Sequence, residues 1–269
     1  MRNFLGKTAI ITGAANGIGK AIAFELARRG SRLALVDIDQ ENLRSTAFGV
    51  EALGISVSQH VIDVANPHAV SKLPEAVIEW HKKADILINC AGVSVTAPLE
   101  DQSIDDIDWI TGVNYLGTVY TCRYFVPLMK ELPEAAIVNV SSAAGLLGFR
   151  KRTTYSASKF AVIGFSEALR AENYRSPISV TCAIPGPIKT DMISRARIYG
   201  EGQEELERNY LAKAGLSAEV TAKKILSAVA SKKGKVYITK ESIMISVLRR
   251  IFGNGFVAAT SRFEGKLPA

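Results

Sequence analysis

The chain has few of the residues that build metal sites and disulfide frameworks. Its three cysteines, Cys90, Cys122 and Cys182, are odd in number and scattered through apolar runs. That excludes a disulfide scaffold and reads as buried thiols in a reducing compartment. The three histidines, His60, His68 and His81, stand at no zinc-ligand spacing to one another or to a cysteine, so no metal is expected. No run reaches the ~18 consecutive apolar residues of a membrane-crossing helix. Met1–Lys7 is too short for a secretory leader ahead of the first strand-like run. Internal repeats, low-complexity tracts and linkers are absent as well. A cytoplasmic location is the expectation.

What is present is an ordinary globular composition. The 269 residues are 48% hydrophobic and 22% charged, ample for one large α/β domain. The formal charge of +7 is unevenly placed. From Thr221 to Ala269 there are ten basic and two acidic residues; the preceding 220 residues hold the remaining 23 basic and 24 acidic, a balance of −1. The basic excess lies wholly in the tail, which argues against nucleic-acid binding by the domain.

Short β-rich runs alternate with helical patterns. Strand-like runs fall at Thr8–Thr12, Arg32–Asp37, Ser56–Ile62, Asp85–Cys90, Ala136–Ser141, Ile178–Ala183 and Lys235–Thr239. Helical patterns fall at Gly17–Arg29, Gln40–Leu53, Pro67–Lys83, Ile104–Leu132, Tyr155–Tyr174 and Ala218–Ser231. Near-continuous apolar strands alternating with helices imply a parallel sheet covered on both faces. The predicted fold is a single doubly wound Rossmann-type α/β domain of about seven strands, with ligands at the strand C-terminal ends. Residues 1–240 would form the catalytic domain, including a long segment at 188–217, and 241–269 a basic extension.

The first strand end carries Thr12-Gly13-Ala-Ala-Asn16-Gly17-Ile18-Gly19. Glycines between a strand and a helix permit a tight turn and close approach to a pyrophosphate, and the helix N-terminus offers free N–H groups to it. The spacing is G-x-x-x-G-x-G rather than G-x-G-x-x-G. Asp37 closes the second strand, eighteen residues beyond Gly19. Its carboxylate can accept hydrogen bonds from an adenosine ribose and would repel a 2′-phosphate. No basic residue occupies Ala14–Ile18 or immediately follows Asp37, so NAD is favoured, with NADP the alternative. Asp39 reads as the N-cap of the next helix.

Tyr155 and Lys159 lie one helical turn apart on one face. A cation ~5 Å from a phenol, at an effective dielectric of ~20, favours the phenolate by roughly 3 kcal/mol, which suits acid–base work. The pair alone is common by accident.

Together the motifs resemble the short-chain dehydrogenase/reductase family over roughly Gly6–Thr239. They are Thr12-Gly13-x-x-x-Gly17-x-Gly19, Asp63-Val64, Asn89-Cys90-Ala91-Gly92, Asn114, Ser142, Tyr155-x-x-x-Lys159 and Pro185-Gly186. The resemblance implies a nicotinamide cofactor and hydride transfer between an alcohol and a ketone. It assigns Tyr155 to pass the hydroxyl proton and Lys159 to favour its ionised form and hold the nicotinamide ribose. Ser142, thirteen residues before Tyr155, would hold the substrate oxygen, with Ser141 as the alternative. Asn114 would sit at a local helix distortion and support a proton relay to Lys159; otherwise it is an exposed helical amide. Asp63 and Val64 would meet the adenine. Asn89 would steady the sheet, and Ala91-Gly92 would admit the cofactor. Cys90 replaces the commoner asparagine. Pro185, Gly186, Ile188 and Thr190 would line the nicotinamide side.

Ala157, Ala161, Gly164 and Ala168 form a small-residue stripe on the Tyr155 helix. It is either ordinary packing or, by the family's habit, a twofold contact in a homodimer or homotetramer. The segment Ile188–Ser217 would cover an apolar substrate, and the chain ending looks more like lipid- or steroid-directed members. The expected activity is NAD-dependent oxidation or reduction of an apolar secondary alcohol or ketone. The alternatives are an NADPH-dependent 3-ketoacyl-thioester reductase and, in another class, a non-catalytic dinucleotide sensor. Finally, Ser242–Phe252 reads as an amphipathic helix: Ile243, Met244, Val247, Leu248, Ile251 and Phe252 fill one face, with Ile245 at the margin. Burial of that face within the protein or its oligomer is the expectation, and weak contact with an anionic membrane surface is the second reading.

Overall fold

The computed structural model describes residues 3–253 and 255–256. The chain begins β1 (Thr8–Thr12), α1 (Gly17–Arg28), β2 (Arg32–Asp37), α2 (Gln40–Glu51), β3 (Val57–Val61), α3 (Pro67–His81), β4 (Ile86–Asn89) and β5 (Val95–Thr96). It continues through α4 (Ile104–Thr111), α5 (Gly117–Lys130), β6 (Ala135–Val140), α6 (Thr153–Glu172), β7 (Ile178–Ile184), β8 (Ile188–Lys189) and β9 (Arg197–Ile198). It closes with α7 (Gln203–Ala214), β10 (Leu216–Ser217), α8 (Ala218–Ala230), β11 (Lys235–Tyr237) and α9 (Lys240–Phe252).

Side-chain alternation divides the core. A strand sends successive residues to opposite faces. Ile11, Ile88 and Val138 therefore join Ile22 and Leu26 of α1, Leu43 of α2 and Ile225 of α8. Ile10, Leu87 and Ile137 join Val77 of α3, Phe125 of α5 and Leu169 of α6. Helices thus cover both faces of one seven-stranded sheet, ordered β3-β2-β1-β4-β6-β7-β11 and parallel throughout. This is the predicted single α/β domain. The strand order reverses between β1 and β4, which opens a crevice beyond their C-terminal ends.

The helical stretch expected over 104–132 is interrupted by a π-helical turn at Gly112–Leu116, the local distortion expected at Asn114. Two regions depart from expectation. The segment 188–217, expected only to cover the substrate, contains α7 and three short strands, with β8 pairing β10 and β9 pairing β5. The second departure corrects the expectation that the apolar face of α9 is buried within the protein: among the described residues, that face is not covered. Ser242 and Ile245 are the residues buried, with Ile245 packed on Ala143 and Leu147. Arg249 donates to the Leu146 carbonyl and lies over the Phe160 ring. Thr239 and Ser242 form a reciprocal capping box. Together these polar anchors turn the apolar side outward.

Candidate active site

The crevice is built from the strand ends. The chain leaves β1 at Gly13 (φ +69°) and turns again at Gly17 (φ +53°), both left-handed conformations that favour glycine. Close approach also demands glycine here. A Cβ on Gly13 would lie 2.8 Å from the Ala91 backbone, and one on Gly19 would lie 2.0 Å from the Gly13 carbonyl oxygen. Thr12 Oγ1 accepts from the N–H groups of Cys90 (3.1 Å) and Ala91 (3.2 Å), locking the β1 end to the β4 end. The open N-terminus of α1 then faces the crevice as an anion-binding position. Asn16 is its N-cap residue by position and makes no side-chain cap. Its Nδ2 is buried without a well-formed hydrogen bond among the described residues.

Asp37 faces this turn. Its carboxylate accepts from Ala15 N (2.9 Å) and Asp39 N (3.1 Å). Asp39 caps α2, as expected, accepting from Asn42 N at 3.1 Å. Hydrogen bonds from the Asn42 side chain and backbone hold its carboxyl below the usual range. Arg195 reaches back from 156 residues away and pairs with Asp39 at 2.9 Å. No local sequence signal could have revealed that contact. Thr190 sits over Gly17, where a Cβ would approach its Cγ2 to 3.1 Å. Asp63 follows β3 on the same edge, exposed, and accepts from Ala65 N (2.9 Å). Val64 is buried against Gly117.

Three of the predicted residues, Asn114, Tyr155 and Lys159, come together beside Gly92. Tyr155 and Lys159 project from the first turns of α6 and are buried. The Lys159 ammonium lies 5.9 Å from the Tyr155 ring centroid and donates to the Val140 carbonyl at 3.3 Å. Asn114 is buried, not an exposed amide. Its Oδ1 accepts from Val93 N (2.8 Å), and its Nδ2 donates to the Val93 carbonyl and the Ser158 hydroxyl (3.0 Å each). These bonds pin the π turn to the loop after β4. Gly112, which opens the turn, and Gly117, which follows it, stand so close to Ala65 and Val64 that a Cβ would crowd them at 3.2 and 2.7 Å. Gly92 lies between the two polar groups: its absent Cβ would be 3.3 Å from both Asn114 Oδ1 and Lys159 Nζ.

The two serines separate cleanly. Ser141 is buried and its hydroxyl donates to the Lys159 carbonyl at 2.7 Å, a structural bond. Ser142 is half-buried and accepts from Ala144 N at 3.2 Å, which leaves its proton free to donate. Asn89 does not reach the crevice surface with its side chain. It donates to Asn139 (2.9 Å) and accepts from Thr121 (2.6 Å) inside the core. Pro185 accepts from Ala143 N (2.6 Å). Gly186 lies against Thr239, and Ile188 is buried in the β8 ladder. Burial pushes the Cys90 thiol up to about 12, so it stays protonated at neutral pH and offers no thiolate.

Sequence reasoning missed Arg152. Its guanidinium stands 5.6 Å from the Tyr155 ring centroid, on a bond to Ser94 (2.7 Å) and an ion pair with Glu207 of α7. Around the same ring pack Val95, Ala97, Ile110 and Ala144, backed by Trp109 and Phe149. Among the described residues no cluster of three or more metal-ligating side chains occurs.

A doubly wound parallel sheet with a glycine turn at one side of its crevice and a buried tyrosine–lysine pair at the other defines a dinucleotide-type oxidoreductase. The short chain dehydrogenase family model matches residues 7–198, and the chain belongs to that family. It is 36% identical over 260 residues to a Mycobacterium tuberculosis protein provisionally designated oxidoreductase SadH, covering 95% of this chain and 94% of the other. It is 35% identical over 190 residues to a 3-oxoacyl-acyl-carrier-protein reductase of Thermotoga maritima, covering 71% and 77%. A Burkholderia phymatum short-chain dehydrogenase/reductase solved with NAD superposes with a TM-score of 0.88 at 29% identity, covering 94% and 95%. A Burkholderia cenocepacia short-chain dehydrogenase solved with NADP gives 0.79 at 28%, covering 90% and 99%.

Proposed function

We propose that this oxidoreductase interconverts an apolar secondary alcohol and its ketone with NAD. The observation that carries the reading is the meeting of Asn114, Tyr155 and Lys159 beside Gly92, with Ser142 next to the Ser141 that bonds the Lys159 carbonyl. The crevice fits a dinucleotide. The α1 N-terminus and the Gly13–Gly19 backbone would hold the pyrophosphate, Asp37 the adenosine ribose, Asp63 and Val64 the adenine. Lys159 would hold the nicotinamide ribose, and Pro185, Gly186, Ile188 and Thr190 the nicotinamide. When bound, the nicotinamide supplies or accepts the hydride.

The chain's own residues handle the proton. Ser142 donates a hydrogen bond to the substrate oxygen. Tyr155 gives the proton to that oxygen in reduction and takes it in oxidation. Lys159 stabilises the phenolate left after donation. Asn114 is a positioning residue, holding the loop at Val93 and Ser158 of α6 in register. The apolar ring of side chains around Tyr155 favours an apolar substrate and excludes water, which strengthens each of these bonds.

Arg195 pairs with Asp39, and Asp37 beside it has no such partner among the described residues, which leaves one net negative charge at the ribose position. A hydrogen bond to a charged group contributes ~1.5–3 kcal/mol, and a 2′-phosphate there meets like charge. At ~1.4 kcal/mol per decade, NAD should exceed NADP by at least roughly tenfold in kcat/KM. Steady-state rates with both cofactors, over steroids, long-chain secondary alcohols and acyl thioesters, test the reading. Preference for NADPH with an acyl thioester would replace it with the reductase activity that the Thermotoga similarity suggests. No turnover with any of them would favour a dinucleotide-sensing role, for which an assembled Ser-Tyr-Lys set has no use.

Residues 1–240 serve as the catalytic unit in this reading. Ala157, Gly164 and Ala168 of α6 are exposed, as pairing of this helix across a twofold axis in a homodimer or homotetramer requires.

A further inference from the structure

The orientation of α9 is inverted relative to its amphipathicity. Lys240, Ile243, Met244, Val247, Arg250 and Ile251 fall at i, i+3, i+4, i+7, i+10 and i+11, one side of a helix. That side points away from the protein body. Ile243, Met244, Val247 and Ile251 are 48, 54, 49 and 65% exposed. The opposite side, Ser242, Ile245 and Arg249, is the anchored one. An outward apolar stripe of about three helical turns marks an interaction surface, because solvent-facing helices ordinarily present polar residues.

The charges identify the occupant. Lys240 and Arg250 share the stripe, are exposed, and form no ion pair among the described residues. The acid on the helix, Glu241, is half-buried on the flank towards Tyr210. A twofold contact of this stripe with itself would bring cations of both copies together with no carboxylate on the stripe to neutralise them. A surface of anionic lipid headgroups over hydrocarbon matches both features at once: the alkyl side chains enter the interface while the lysine and arginine meet phosphates. We propose that α9 docks the protein on anionic membrane surfaces, peripherally and reversibly. The helix has thirteen residues, too few to cross a bilayer, which needs about twenty. No described helix is long and apolar enough to span.

The proposal is independent of the dehydrogenase reading, and its test uses no substrate. The full chain is sedimented with vesicles of phosphatidylcholine alone and with vesicles containing roughly one-third phosphatidylglycerol, which carry the negative surface potential of an anionic leaflet. We expect partitioning onto the anionic vesicles at least roughly tenfold above the neutral ones, reduced several-fold by raising salt to about 0.5 M. The pair Ile243→Glu and Val247→Glu should abolish it. Lys240→Gln with Arg250→Gln should lower it roughly tenfold while leaving the thermal midpoint unchanged. These residues are outward-facing, so the thermal midpoint also checks that the glutamate pair still folds. No binding to anionic vesicles by the unaltered chain overturns the proposal. If the glutamate pair instead converts an oligomer to a smaller species without any vesicle binding, the stripe is a subunit contact and the proposal fails equally.

Discussion

Tyr155→Phe should lower kcat by roughly three orders of magnitude while leaving the dissociation constant for NAD within a few-fold of its original value. The substitution removes one hydroxyl and keeps the ring. The ring is packed on Val95, Ala97, Ile110 and Ala144, so the fold loses no apolar contact. General acid–base groups contribute typically 10²–10⁴-fold, and no neighbour here can take over the proton. Ser142 keeps its hydroxyl proton for a hydrogen bond, but an aliphatic alcohol is a much weaker acid than the phenol it would have to replace. Lys159 donates to the Val140 carbonyl, and its ammonium lies 5.9 Å from the Tyr155 ring centroid. Cys90 is held protonated by burial. The cofactor groups Gly13–Gly19 and Asp37 lie across the crevice and are untouched. Single-turnover rates and NADH fluorescence titration on the variant separate the two effects. A variant retaining more than a tenth of the original rate would remove Tyr155 from the proton-transfer role and the proposed mechanism with it.

The parts of this site legible in the sequence are those fixed by local chemistry. Gly13, Gly17 and Gly19 announce themselves because only glycine tolerates their backbone or their crowding. Asn114 stands out because an amide in mid-helix is poorly placed by propensity. The expected distortion is present as the π turn, held by Val93 and Ser158. Strands could be located because short, near-continuous apolar runs report burial on both faces of a parallel sheet. What stayed hidden depends on distant pairing. The Arg195–Asp39 contact and the placement of Arg152 between Ser94 and Glu207 join residues 55 to 156 positions apart. α7 carries glutamates, arginine and lysine through most of its length, so its weak apolar periodicity did not separate it from a covering loop. α9 was legible as a helix but not in its orientation. Periodicity gives the existence of an apolar face, whereas the capping box and the Arg249 bond decide which face turns inward.

A second large effect is expected in stability rather than rate, below neutral pH. Ser58 on β3 lies between two imidazoles, 2.8 Å from His60 Nε2 and 2.9 Å from His81 Nε2. His81 ends α3 and is buried, with its Nδ1 lacking a partner in good geometry among the described residues. Burial, aided by the nearby Arg32 and His60 charges, pushes His81 from the ordinary 6.5 down to about 4, and burial alone pushes His60 down as well. Both therefore favour the neutral form in the fold. The unfolded chain takes up the proton first as pH falls, so stability is complete above 6.5 and is lost between about 6.5 and 4. At ~1.4 kcal/mol per pH unit, the His81 gap is worth about 3 kcal/mol, a large share of the 5–15 kcal/mol typical of a domain. The carboxylates act in a separate window. Despite burial, bonds from Arg197 and Tyr199 hold Asp106 at about 2, so its contribution is lost only below about 3.8. Urea unfolding at pH 7, 6, 5 and 4.5 should show the decline. His81→Gln, which keeps a donor for Ser58 but cannot titrate, should be less stable at pH 7 and distinctly flatter across the series. Equal slopes for the two proteins would mean that the imidazole pair is not the group that acid opens first.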